Sequence, residues 1–121
     1  MKHILTGGVI AVTVLLGANA WAQNEVNWLA LPTDEAALTK LDTEQSRAVR
    51  AAVRHCNAFL RSSHQGNPCV FTDVDRVMRQ SDDAALRAYH FALPRSLRYQ
   101  ETRNQGFAVQ HVLKQRKIYV E

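Results

Sequence analysis

The chain is 121 residues long, 46% hydrophobic and 21% charged, with a formal net charge of +4. That balance excludes a wholly disordered, collagen-like or polytopic membrane protein, and the length leaves room for one small domain. The charge is modest and aromatics are sparse, at 7%, for a dedicated nucleic-acid binder.

Residues 1–22 read as a secretory signal. Lys2 supplies the positive start and residues 4–16 form an apolar stretch. Ala18-Asn19-Ala20 and Ala20-Trp21-Ala22 both offer the small-x-small pattern that signal peptidase accepts, with cleavage after Ala22 preferred. The glycine pair Gly7-Gly8 and the small-residue ending argue against an uncleaved spanning helix. Residues 23–121 then form a single small globular domain without a transmembrane anchor, periplasmic or secreted. In such a compartment the two cysteines, Cys56 and Cys69, are expected to form one disulfide. A Cys/His metal site from His55, Cys56, His64 and Cys69 is the competing reading, but its spacing matches no familiar zinc pattern. No metal and no cofactor is expected.

Within the domain, residues 23–32 make a lead-in that Trp28, Leu29 and Leu31 can pin to a core. Thr33-Asp34-Glu35 predicts a brief helix over 34–41. Asp42 or Thr43 then caps a longer one. Its apolar face runs through Val49, Ala52, Val53, Cys56, Phe59 and Leu60, at helical spacing. After the turn-rich Gln65-Gly66-Asn67-Pro68, Thr72 or Asp73 begins another helix carrying Val74, Val77 and Met78. Ser81 caps the next, which Pro94 ends. Residues 95–104 predict a helical turn or two, closed by Gly106. The loose alternation of residues 107–113 and 117–120 around Lys114-Gln115-Arg116 predicts a terminal hairpin. The expected fold class is therefore α+β: three to four helices, a C-terminal β-hairpin and one disulfide.

Charge concentrates on the long helix. At about 100° per residue, Arg47, Arg50, Arg54 and Arg61 share one side within about 60°, opposite the apolar face. No acid occurs between Gln45 and Thr72. Aligned guanidiniums suit carboxylates or phosphates, unless Asp34, Asp73 or Asp82 neutralises them from neighbouring helices. Chemistry has weaker signals. His90 or His111 with an acid such as Asp73, Asp75, Asp82 or Asp83 would make a small hydrolase, but no catalytic motif is present and no catalytic residue is assigned. The composition and spacing favour a non-catalytic binding protein of the inhibitor, immunity or accessory kind. Its expected partner is a protein of the cell envelope, with an anionic polymer as the alternative, bound through the arginine stripe or the hairpin edge.

Overall fold

A computed structural model describes residues 26–56 and 67–120. The signal expected at 1–22, and with it Phe59, Leu60, Arg61 and His64, lies outside the described residues. Among the described residues, five α-helices follow a short 3-10 turn at Trp28–Ala30: α1 (Glu35–His55), α2 (Pro68–Gln80), α3 (Ala84–Ala92), α4 (Arg95–Arg98) and α5 (Gln105–Val120). There is no strand among the described residues.

The two helices expected at 34–41 and beyond Asp42 are one. Asp34 caps α1 by accepting from the Ala37 amide at 3.2 Å. No glycine or proline interrupts the helix, and the Thr39 and Thr43 hydroxyls bond back to the carbonyls of Glu35 and Thr39. Those hydroxyls are thus satisfied without ending the helix. α2 begins earlier than expected, at Pro68. Asn67 accepts from the Cys69 amide at 2.8 Å, and proline fits the first helical position because it has no amide to orphan. Asp83, not Ser81, caps α3, accepting from the Ala85 and Leu86 amides at 3.1 Å each. Pro94 stops α3 as its chemistry requires and leads into the single turn of α4.

The largest correction concerns the C-terminal segment. The predicted hairpin is the 16-residue helix α5, so the described residues form an all-α fold and not the expected α+β one. Asn104 starts it, its side chain accepting from Phe107 N at 2.8 Å and its carbonyl from Ala108 N at 3.1 Å. Gly106 therefore lies in a first turn instead of closing a preceding helix. Ala108, Val109 and Val112 are buried, a pattern of i, i+1, i+4 that puts all three on one helical side. Lys114-Gln115-Arg116, read as a turn, are good helix formers in the interior. With no sheet edge here, strand addition is excluded for this segment.

The core has two apolar parts. Leu38 and Leu41 of α1 pack with Tyr89, Leu93, Val109 and Val112, closed by Leu31 from the lead-in. Val49, Ala52 and Val53, farther along α1, pack with Val70, Val74, Met78, Phe91 and Tyr99. Trp28 is partly buried and stacks on Tyr119, with centroids 5.0 Å apart, whereas Leu29 is exposed.

A disulfide joins Cys56, just past α1, to Cys69 in the first turn of α2, with Cα atoms 5.9 Å apart. Closing a loop of this length stabilises by about 3 kcal/mol in the chain-entropy model. Reduction is expected to lower the thermal midpoint by a corresponding amount while the far-UV circular dichroism below the transition stays helical. A midpoint indifferent to reductant would show that the crosslink contributes nothing to stability.

Candidate functional site

Between the two apolar parts lies a layer of polar side chains drawn from several helices. Leu38, Leu41, Asp42, Gln45, Val49 and Ala52 all lie on the buried stripe of α1, and Asp42 and Gln45 are its polar members. Gln45 is fully enclosed and its amide orientation is dictated by its neighbours. Arg103 can only donate, and its Nη2 reaches Gln45 Oε1 at 2.6 Å. The Arg98 carbonyl can only accept, and takes Gln45 Nε2 at 2.8 Å. The second Nε2 proton therefore goes to His90 Nδ1, 2.9 Å away. Nδ1 must accept, so the His90 ring is neutral and carries its proton on Nε2, which donates to Asp75 Oδ1 at 2.7 Å.

The other half of the layer is a buried ion pair. Arg103 Nη2 and Nε donate to Asp42 Oδ1 at 2.6 and 3.1 Å, and both side chains are almost wholly enclosed. Tyr89 OH donates to the same oxygen at 2.7 Å. Arg103 Nη1 reaches the Leu97 and Gln100 carbonyls. Tyr99 OH lies 2.9 Å from both Asp75 oxygens.

Titration follows from these contacts. Burial pushes His90 below its ordinary 6.5, outweighing the opposing hydrogen bond it donates to Asp75. Burial also raises the Asp75 carboxyl, but hydrogen bonds from His90 and Tyr99 prevail and leave it below 3.8. Tyr89 and Tyr99 are both held above the usual phenol value, first by burial and then by their carboxylate partners.

The expected His/Asp pairing is thus present as His90 with Asp75, but both ring nitrogens are occupied by protein partners and the ring is fully buried. A general base needs a lone pair facing substrate, and this one faces Gln45. His111 is half-buried on α5, with no carboxylate in hydrogen-bonding distance among the described residues. Cys56 and Cys69 are consumed by their disulfide, and His55 sits 3.7 Å from Asp73. No cluster suited to a metal ion occurs among the described residues.

The outward side of α1 carries Arg47, Arg50 and Arg54; Arg61 lies outside the described residues. Arg47 and Arg54 are exposed. Arg50 Nη1 makes one long bond, 3.4 Å, to the Glu101 carbonyl. It lines a cleft of about 280 Å³ with Thr43, Ser46, Glu101, Thr102 and Gln105, over the buried Asp42–Arg103 pair. None of these three arginines forms an ion pair among the described residues. Of the acids expected to neutralise them, Asp34 caps α1, Asp73 pairs with Arg76 and lies beside His55, and Asp82 is exposed.

Sequence reasoning missed Asp42, Gln45, Tyr89, Tyr99 and Arg103. The available signal was Asp42 and Gln45 standing on an otherwise apolar helical stripe, where capping was read instead. No family model, curated protein or solved structure matches this chain.

Two outcomes test the polar layer. Arg103→Met strands the buried Asp42 carboxylate and is expected to cost about 3–5 kcal/mol by denaturant unfolding. Acidification is expected to act in two stages. Below 6.5 the unfolded chain protonates its histidine while folded His90 resists, so stability falls as pH drops. Below 3.8 the same holds for Asp75, whose stabilisation is present above that pH and lost beneath it. Denaturant midpoints measured from pH 7.5 to 3, with His90→Gln as comparison, check this; a wild type and variant of identical pH dependence above pH 4.5 would refute the His90 assignment.

Proposed function

We propose that this chain is an exported, non-catalytic binding protein that holds an acidic protein partner of the cell envelope on the arginine face of α1. The observation that carries this reading is the row Arg47, Arg50 and Arg54, on one side of a long helix and without an ion pair among the described residues. A guanidinium row of this kind favours carboxylates in bidentate geometry and steers association electrostatically. The disulfide agrees with an oxidising compartment. Among the described residues no helix is long and apolar enough to cross a membrane. The signal at 1–22 supplies the export route in this reading.

The hydrolase reading gains nothing from His90, whose ring serves the interior. An anionic polymer would use the same arginines and differs in its salt response, since each neutralised phosphate releases counterions.

The test is affinity capture from the native envelope with wild type and with Arg47→Glu/Arg50→Glu/Arg54→Glu. A single retained protein, lost at least about tenfold in the variant, is the expected result. Heparin or DNA binding that collapses with salt, and no retained protein, would replace the protein partner by a polymer. Mass spectrometry of the exported product is expected to place its first residue at Gln23.

A further inference from the structure

We infer that the outer side of α5 and its C-terminal end, where the 3-10 turn at Trp28–Ala30 meets Tyr119, form a docking surface for an anionic lipid membrane. This surface shares no residue with the arginine face of α1, so the two readings stand or fall separately.

Exposed apolar side chains are concentrated here. Phe107 is 61% exposed, Ile118 63%, Tyr119 66% and Leu29 76%. Phe107, Lys114 and Ile118 are spaced seven and four apart and so share one side of α5, opposite the buried Ala108, Val109 and Val112. At the C-terminal end of α5, Tyr119 lies about 100° round the helix from Ile118, toward the buried side; it stacks on Trp28 with planes 8° apart, and the pair borders a groove of about 360 Å³ with Leu29 and Val120. Trp and Tyr rings have the mixed apolar and polar character that suits a membrane–water boundary.

Cations interleave with these apolar groups. Lys114 and Lys117 are exposed and border a second groove, of about 370 Å³, with Gln110 and Leu113. No Asp or Glu occurs between Thr102 and Val120. Among the described residues, Glu35 of α1 reaches this side, accepting from Gln110 Nε2 at 2.9 Å. Neither lysine forms an ion pair among the described residues.

This mixture selects the occupant. A second copy meeting the same face would set lysine against lysine, and an uncharged apolar partner would strip water from the ammonium groups without replacing it. An anionic bilayer satisfies both demands, with phosphates for the lysines and the acyl boundary for Phe107, Ile118 and the aromatic pair.

The test is sedimentation of the full chain with vesicles of phosphatidylcholine alone, and of phosphatidylcholine and phosphatidylglycerol in equal parts. Binding is expected to the anionic vesicles and to weaken with salt. Lys114→Glu/Lys117→Glu is expected to weaken it by at least about thirtyfold, from the attraction of two surface lysines. Ile118→Asp is expected to weaken it about tenfold. All three positions are exposed, so thermal midpoints matching wild type confirm that the fold is intact. Equal binding to both vesicle types overturns the proposal. Binding indifferent to every substitution, as the apolar stretch at 4–16 would produce, overturns it too. Self-association of the free protein that Ile118→Asp abolishes assigns the face to a second copy instead.

Discussion

The Gln45 amide is the constraint around which the interior is arranged. It bonds to His90 of α3, to the carbonyl of Arg98 at the end of α4, and to Arg103 in the segment before α5, three groups of one continuous stretch. Two of them leave it no choice of orientation, and that orientation then sets the tautomer of the third. From His90 the order passes to Asp75 on α2 and Tyr99 beyond α4. From Arg103 it passes to Asp42 and Tyr89. α5 is tied in separately, through Gln105 Nε2 donating to Thr43 Oγ1 at 2.9 Å. Apolar contacts tolerate sliding between helices; a donor facing a donor does not, so the layer supplies register where packing alone supplies cohesion. Burying Asp42 and Arg103 costs desolvation, which their close pairing and the carbonyls around Arg103 offset.

The arginines divide according to this layer. Arg98 and Arg103 are drawn inward and spend their donors on main-chain carbonyls, Asp42 and Gln45. Arg95 stays exposed, with its guanidinium over the Phe71 and Tyr99 rings. Arg47 and Arg54 remain outside on α1 without ion pairs among the described residues. A net positive charge spread along the sequence thus becomes two kinds of cation in the fold, one structural and one facing solvent. The outward groups are available to a partner, because the carboxylates in the interior are already matched.

Much of the helical framework was legible from local chemistry. Val49, Ala52 and Val53 repeat at helical spacing and are buried, Pro94 ends α3, and the two cysteines had each other as the available thiol partner. The arginine alignment followed from the same periodicity, because one helix supplies both faces. What was not legible required knowing neighbours. Asp42 and Ser81 carry side chains that cap helices well in isolation. Here Arg103, 61 positions away, holds Asp42 inside a helix, and Asp83 takes the capping role beside Ser81. His90 reads from the sequence as a satisfied core residue or as half of a catalytic pair, and Asp75 as an acid near a helix start; that the two meet is visible only when α2 and α3 are placed side by side.

Residue order by itself determined the start of α1 at Asp34, the disulfide pairing and the row of arginines, because each depends on spacing along one segment or on having a single available partner. Tertiary structure decided the rest. Residues 105–120 hold enough β-branched and aromatic side chains to suit a strand, and the choice fell to helix because Ala108, Val109 and Val112 meet Leu38, Tyr89 and Leu93 on one side. The polar layer was decided in the same way, since a buried amide, imidazole or guanidinium acquires its role from the donors and acceptors that distant helices bring to it.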